Sequence, residues 1–412
     1  MKVLIVTPHF YPENFKCNDM AFELNKRGHD VTVMTAIPDY PAGKYHAGYG
    51  IFKRRRECVN GVKIHRSFII PRGSGSSIRL ALNYISYSLF STIKALWFGL
   101  IHKYDTIIVH ETSPVMVGIP AAIIKRLQHI PMVFWVLDLW PESLSAAGGI
   151  NNKLILGLFN KLTRCLYENS DMILIGSKGY RTSINNKGAF DAKIHYFPNW
   201  VENELASDLI INDGIPKLPD GFNVMIAGNM GDAQDLPHVM DAATKLRDSN
   251  INFIFVGNGR KKSYVEEFAR NHGLHKQVFC LGQFPLAAMP SLFSQADVLF
   301  MALKDDPIFA LTVPSRLQAY MSSGKPVISM INGEGAELIQ EADCGWSVPA
   351  GDSEALAELL KKISLLDKSK LVSKGLNGKR YSELHFNFEQ CIDNLEQFIK
   401  LGNHKEIQAK HK

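Results

Sequence analysis

The side chains best suited to chemistry fall in loops directly after short apolar runs. The loop Thr7–Lys16 carries His9, Glu13, Asn14 and Lys16. A binding role and a solvated turn both fit such a loop. His110-Glu111-Thr112-Ser113-Pro114 and Asp138-Leu139-Trp140-Pro141-Glu142-Ser143 follow later runs. The carboxylates Asp138 and Glu142 form a pair that could move protons, although Glu142 and Ser143 equally suit a helix start. Further on, Gly228-Asn229-Met230-Gly231 and Gly257-Asn258-Gly259-Arg260-Lys261-Lys262 place glycines where backbone amides can approach phosphate. Pro314-Ser315-Arg316 reads as a helix start with Ser315 as the N-cap and Arg316 as a nearby cation, an arrangement that suits a diphosphate. Asp305-Asp306 is expected to be a solvated loop rather than a metal site, and no cluster with metal-ligand spacing is seen. The loop after the first run lacks the glycine fingerprint of a dinucleotide site, which counts against a nicotinamide or flavin enzyme.

These loops need strands to hold them. The runs Val3–Val6, Val31–Thr35, Ile107–Val109, Met132–Leu137 and Met172–Ile175, then Val224–Ala227, Phe253–Val256, Val298–Met301 and Val327–Met330, are apolar throughout and alternate with helix-length stretches. That pattern predicts parallel sheets buried on both faces, and 412 residues exceed one ordinary core. The expected fold is α/β: two Rossmann-like domains with parallel sheets facing across a deep cleft, ligands lying beyond the strands' carboxyl ends. The expected boundaries are residues 1–204, a Gly/Pro/Asp/Asn-rich linker at 205–221, a second domain at 222–385, and a C-terminal helix and tail at 386–412 that can cross back to the first. Six scattered cysteines without a Cys-x-x-Cys argue against a disulfide framework and a zinc knuckle. The opening run reads as a strand, not a leader.

Charge is divided unevenly. Residues 1–200 hold 24 Lys and Arg against 13 Asp and Glu, whereas residues 201–412 hold 22 against 27, so a basic half and a mildly acidic half make up the net +6. No zinc-finger spacing or aromatic RNA-recognition signature accompanies the basic half, so nucleic acid is not the expected partner. Apolar residues at 78, 82, 85, 89, 93, 96 and 100 form a helical stripe downstream of Lys53-Arg54-Arg55-Arg56. Its longest uncharged run, Leu80–Ile93, is too short for a membrane span. An interfacial membrane site and an ordinary packed helix beside a solvated basic loop both fit.

Several short motifs together resemble the retaining, nucleotide-sugar-dependent glycosyltransferases of family 4, with the GT-B fold. They are Lys26-Arg27-Gly28-His29-Asp30-Val31-Thr32-Val33, Phe197-Pro198-Asn199-Trp200-Val201, Val256-Gly257-Asn258-Gly259 and Gly324-Lys325-Pro326-Val327-Ile328. Tyr11–Lys16, Pro38–Gly43, Asp138–Ser143 and Pro314-Ser315-Arg316 resemble a bacterial O-antigen and capsule branch that includes N-acetyl-L-fucosamine transferases. The resemblance implies transfer from a UDP-sugar, UDP-N-acetyl-L-fucosamine by branch, to a polyprenyl-diphosphate saccharide, without metal or other cofactor. It also implies a cytoplasmic enzyme, peripheral on the inner face of the bacterial cytoplasmic membrane and in contact with an anionic lipid surface.

On this reading Asp138, Arg316 and Glu142 are catalytic. Gly228, Asn229, Gly257, Asn258, Gly259, Arg260, Lys261, Pro314, Ser315 and Glu337 bind the donor, and His9, Glu13, Asn14, Lys16, His110 and Glu111 face the acceptor. The chain departs from the family where cationic phosphate ligands stand: Asn229 and Gln234 are neutral, which makes Arg316 the substitute. The family's paired glutamates fall on Leu311 and Ala319, with Glu337 left to take a sugar or ribose contact. A GT-B nucleotide-sugar epimerase and a non-catalytic scaffold of a polysaccharide assembly complex are the competing expectations.

Overall fold

A computed structural model describes residues 1–73, 76–146, 151–206 and 214–410. The chain forms two compact units, residues 1–197 with the segment from Ile392 onward, and residues 198–391.

The first unit is built on strands β1 (Lys2–Val6), β2 (Asp30–Ala36), β3 (Arg56–Val59), β4 (Val62–Ser67), β5 (Thr106–Glu111), β6 (Met132–Val136), β7 (Met172–Ile175) and β8 (Ile194–Tyr196). Their order is β3-β4-β2-β1-β5-β6-β7-β8. Only the β3–β4 pair is antiparallel among the described residues. Val3, Leu4, Ile5 and Val6 are fully buried because helices cover both faces, each such side chain contributing about 1.5–3 kcal/mol. The order reverses at β1, which lies between β2 and β5, so the loops after these strands meet at a topological switch point. Helix Lys16–Lys26 buries Cys17, Met20, Ala21 and Leu24 and ends where Gly28 takes φ +91°, a conformation that favours glycine.

The second unit holds β9 (Phe222–Ala227), β10 (Ile251–Val256), β11 (Val278–Gly282), β12 (Val298–Ala302), β13 (Val327–Met330) and β14 (Gly345–Val348) in the order β11-β10-β9-β12-β13-β14, all parallel. Strand periodicity splits β9 between two cores. Val224 and Ile226 pack with Val239 and Leu356 on one face, and Met225 and Ala227 with Leu317 and Tyr320 on the other.

Two Rossmann-like α/β domains are therefore present, with boundaries that differ from the sequence reading. The chain leaves the first unit at Phe197, not after residue 204. Leu205 and Leu218, expected in a linker, are core residues of the second unit beside Val201 and Leu292; residues 207–213 of that stretch lie outside the described residues. Helix Phe388–Lys410 returns the chain to the first unit. There Ile392, Leu395 and Ile399 are buried, and Arg27 donates to Asp393 at 2.5 Å while His29 Nε2 lies 2.7 Å from Glu396.

Candidate active-site residues in the two units

In the first unit a bonded network joins the exits of β1, β2 and β4. His9 Nδ1 lies 2.9 Å from Glu13 Oε2, and Glu13 Oε1 accepts the N–H groups of Asp39 at 2.8 Å and Tyr40 at 2.7 Å. Asp39 Oδ2 in turn accepts the Arg72 N–H at 2.8 Å and Asn83 Nδ2 at 3.0 Å. Arg72 Nη2 reaches His9 Nε2 at 3.1 Å, and its guanidinium lies over the Tyr40 ring. His9 stacks on Phe15 with the rings 4.8 Å apart. Asn14 is exposed, and Lys16 opens the following helix.

Among the described residues, His9, Glu13 and Asp39 are the group whose ligand atoms lie close enough to hold a metal, within 4.8 Å of one another. Both Glu13 oxygens and Asp39 Oδ2 already receive protein donors, and a guanidinium stands in the group. A cation would have to displace those bonds, so the arrangement fits a hydrogen-bond network better than a metal centre.

Asp138 follows β6 and is half-buried. Its Oδ2 accepts both the N–H of Ser113 at 3.1 Å and the Ser113 hydroxyl at 2.7 Å, and that hydroxyl accepts Trp140 Nε1–H at 3.1 Å. Burial pushes the Asp138 carboxyl above its usual range, against the lowering effect of the Ser113 bond. Glu142 does not join it. Its Oε1 accepts Lys187 Nζ at 2.5 Å and the Ser183 hydroxyl at 2.8 Å, so it ties two helices together rather than pairing with Asp138.

His110 and Glu111, expected among the acceptor contacts, are instead interior to β5, because a strand buried on both faces gives neither side chain a route to solvent. His110 bonds Thr7 at 3.1 Å, and burial pushes its imidazole down to about 3. Glu111 Oε2 accepts the N–H groups of Leu137 and Asp138, each at 3.3 Å, and so holds the backbone on which Asp138 rides. Burial and the nearby Asp138 raise its carboxyl well above the usual range.

In the second unit, two glycine loops lie against each other. Met230 N–H donates to Asn258 O and Lys261 N–H to Met230 O, both at 2.9 Å. A Cβ on Gly257 would stand 2.1 Å from Gly228 O, and one on Gly259 would stand 2.3 Å from Met230 O, so glycine is required at both. Helix Ser315–Ser322 buries Leu317, Tyr320 and Met321. The Tyr320 hydroxyl fixes it to the end of β9, accepting Ala227 N–H at 2.8 Å and donating to Ala227 O at 3.0 Å. That anchor sets Arg316 over the first glycine loop, where Nη2 donates to Asn229 O at 3.1 Å.

Ser315 is not the N-cap: Pro314 occupies that position and Ser315 is exposed in the first turn. Arg260 is exposed, and Lys261 pairs with Asp232 at 3.3 Å. Glu337 is exposed in the first turn of helix Glu334–Glu341, whose Gly335 lies close to Pro314. Gln234 is used locally, accepting the Gly231 N–H at 2.8 Å. Asp306 caps the short helix that follows it, and Asp305 accepts from Asn332 Nδ2 at 2.9 Å.

Asp39, Arg72, Asn83 and Ser113 were given no site role from the sequence, although Asp39 and Ser113 lie in motifs named there. Asp39 stood at a strand exit and could have been found by that rule; Arg72 lies in the loop after β4 and Asn83 on the next helix, and nothing in their spacing ties them to His9.

Helix Ser77–Ile101 presents its apolar stripe outward. Ile78, Leu82, Ile85, Leu89, Ile93, Leu96 and Leu100 are exposed, as is Trp97, while Asn83, Tyr87, Ser91, Ala95 and Phe98 are buried. The inward face mixes Tyr87 and Phe98 with small residues, and at Gly99 a neighbour comes close: a Cβ there would stand 2.7 Å from Leu127. Phe52 is 95% exposed just before Lys53-Arg54-Arg55-Arg56. Lys94, on the same helix as the stripe, donates to Arg66 O beside Arg55 Nε; burial, then Arg55, Arg56 and Arg66, push its ammonium down to about 7. Among the described residues no helix is long and apolar enough to cross a membrane.

Residues 16–200 match the glycosyl transferase 4-like domain, and residues 213–374 match the glycosyl transferases group 1 domain. The chain is a glycosyltransferase. This transferase is 24% identical over 354 residues to the probable glycosyltransferase WbjE of Pseudomonas aeruginosa, 83% of either chain. It is 26% identical over 344 residues to the putative colanic acid biosynthesis glycosyl transferase WcaI of Escherichia coli strain K12, 79% of this chain and 82% of that one. The crystal structure of Anabaena HepE in complex with UDP covers 97% of the transferase and 100% of HepE, with a TM-score of 0.70 at 15% identity, a likeness of GT-B fold.

Proposed function

We propose that the transferase moves a sugar from a UDP-sugar to a lipid-diphosphate-linked saccharide, with retention at the anomeric carbon, in the synthesis of an O-antigen, capsule or colanic-acid-like polysaccharide. The observation that carries the donor half is the placement of Arg316 over the Gly228 loop, against which the Gly257 loop packs. Closely approachable backbone, a helix start and a guanidinium together can hold a diphosphate and stabilise the charge that develops as it leaves. Asn229, Asn258, Gly259, Arg260, Lys261, Pro314 and Ser315 lie on the same three segments, and Glu337 serves the ribose or sugar. WcaI, by its name, acts in colanic acid synthesis and HepE is known with UDP; both support the reading.

In the first unit Asp138 orients the acceptor or stabilises positive charge on the sugar, with Ser113 and Glu111 positioning it. His9, Asn14 and Lys16 surround the acceptor, while the buried Glu13, its two oxygens taken by His9 and the 39–40 backbone, holds that loop in place. The departing phosphate takes the acceptor's proton, so no metal or second carboxylate is required. For the donor, branch resemblance favours UDP-N-acetyl-L-fucosamine. The outward stripe of helix Ser77–Ile101, Phe52 and the 53–56 cations fit an anionic membrane surface, where apolar side chains enter the interface and cations meet phosphate. That surface is the inner face of the cytoplasmic membrane. The transferase names of the relatives run against the epimerase and scaffold readings.

A screen of UDP-sugars for thermal stabilisation, followed by transfer to a short lipid-diphosphate saccharide, tests the activity. No stabilisation by any uridine nucleotide refutes the donor half. Co-sedimentation with anionic but not neutral liposomes at low salt tests the surface, and a protein that stays in the supernatant refutes it.

A further inference from the structure

The strand order of the second unit reverses between β9 and β12: β10 and β11 follow on one side, β13 and β14 on the other. Ligands of open α/β sheets lie beyond such a point. The two strands part there. Their pairing runs through Val224–Val298 and Met225–Leu299 and stops, although β9 continues to Ala227 and β12 to Ala302. The Ala227 backbone groups, left without a partner on β12, turn to the Tyr320 hydroxyl, which accepts the N–H at 2.8 Å and donates to the carbonyl at 3.0 Å. Beyond the strands the two exits meet again, where Lys304 N–H donates to Ala233 O at 3.0 Å. The parting is therefore bounded by Tyr320 and Arg316 of helix Ser315–Ser322 at its base and by Lys304 at its rim.

A sugar-nucleotide diphosphate carries two negative charges, and Arg316 answers one of them. Lys261 is already paired with Asp232, and Arg260 follows β10, on the far side of β9 from the parting. Lys304 is exposed and makes no ion pair among the described residues. The two acids next to it are engaged elsewhere: Asp305 Oδ1 accepts Asn332 Nδ2 and Asp306 Oδ1 accepts Ile308 N–H, both at 2.9 Å. The Asp305 bond ties the following segment to the exit of β13, where a Cβ on Gly333 would stand 2.0 Å from Ala310 O. Lys304 is thus pinned at the switch point, by its own N–H on one side and by Asp305 on the other, with its ammonium left unneutralised. The bond to Ala233 also sets it beside the neutral Gln234.

We propose that Lys304 is the second cation of the donor site, meeting the diphosphate from the exit of β12 while Arg316 meets it from the helix. The division of labour follows the two side chains. The guanidinium, held to Asn229 O, presents a fixed fork, whereas an ammonium on a flexible stem follows the phosphate as it becomes a leaving group. The inference rests on the donor half of the function proposed above and adds the residue that balances its charge.

The test titrates the full chain with UDP by calorimetry and with uridine by ligand-observed NMR. It compares wild type, Lys304→Met, Lys304→Arg and the double variant Lys304→Met with Gln234→Lys. Methionine keeps most of the stem and removes the charge. Lys304→Met should weaken UDP roughly 10- to 100-fold, the range for a hydrogen bond to a charged group, and leave uridine binding as in wild type. Lys304→Arg, which keeps the charge, should lose less. Gln234→Lys should return part of what Lys304→Met loses, because it restores a cation on the adjoining segment; a merely structural role for Lys304 gives no such recovery. Equal UDP affinity in wild type and Lys304→Met, an equal loss for uridine, or no recovery in the double variant overturns the proposal and leaves the Arg316 reading standing. If wild type binds no uridine nucleotide at all, the donor reading falls and takes this proposal with it.

Discussion

Replacing Arg316 by alanine removes the cation that covers the first of the two packed glycine loops. Its guanidinium donates to Asn229 O at 3.1 Å, and a Cβ on Gly228 would stand 2.9 Å from its Nη2, so it covers the first loop closely. A unit charge about 4 Å from a phosphate oxygen is worth about 1 kcal/mol in open water and about 4 kcal/mol at an effective dielectric near 20. Arg316 is half-buried, and a bound nucleotide would exclude more water, so the upper part of that range applies. Loss of a charge-stabilising group of this kind costs about 3 kcal/mol, or roughly 100-fold in transfer. The assay is steady-state transfer with donor varied, alongside calorimetric UDP binding. Arg316→Lys should recover only part, because an ammonium lacks the fork that bonds two oxygens. An alanine variant that binds UDP and transfers normally would place the phosphate elsewhere, with Arg260 and Lys261 the next residues to change.

Asp138→Asn keeps an oxygen for Ser113 but loses the charge. It should bind UDP normally and lose about 1.5–3 kcal/mol in kcat/KM for the acceptor, the scale of a charged hydrogen-bond partner; unimpaired transfer would reduce Asp138 to a structural residue. Dialysis against EDTA should leave turnover unchanged, and a loss reversed by magnesium or manganese would contradict the network reading of His9, Glu13 and Asp39. Glu111 has a folded-state carboxyl raised well above the usual value by burial, so the folded chain holds a proton that the unfolded chain sheds. Stability then falls as pH rises above about 4.5, and Glu111→Gln should flatten that slope in melting curves taken from pH 5 to pH 8. An unchanged slope would show that Glu111 is ionised when folded.

Central strands were legible in the sequence because β1, β5, β6, β9, β10 and β12 are buried on both faces and leave unbroken apolar runs. The hairpin at the sheet's edge was not. β3, the edge strand, and β4 beside it alternate polar and apolar residues, and the signal that marks them, Asn60-Gly61 between Val59 and Val62, is a two-residue hairpin turn. The boundary was misplaced because Asp, Gly and Pro in residues 205–221 look like a linker, whereas Leu205 and Leu218 pack into the second core. Composition cannot distinguish a surface loop of one domain from a bridge between two.

The candidate site was legible wherever strand exits or glycines marked it, as at His9, Glu13, Asp138, Gly228 and Gly257. It failed where burial decides a side chain's role. The sequence places His110 and Glu111 at a strand's end without saying that the sheet encloses them, and Glu142 beside Asp138 without saying that Lys187 takes it. The apolar stripe on helix Ser77–Ile101 carried the same ambiguity. Periodicity locates a stripe, and only the burial of Asn83, Tyr87, Ser91, Ala95 and Phe98 shows that the other face turns inward.

Retaining transfer from a UDP-sugar is the central claim, and the stereochemistry of one turnover tests it most directly. The UDP-sugar that stabilises the protein is incubated with a lipid-diphosphate saccharide, and the anomeric coupling of the transferred sugar is compared by proton NMR with that of the donor. The account predicts the same anomeric configuration in donor and product. An inverted centre in the first-formed product would contradict it, because the departing phosphate could not then be the group that receives the acceptor's proton on the same face.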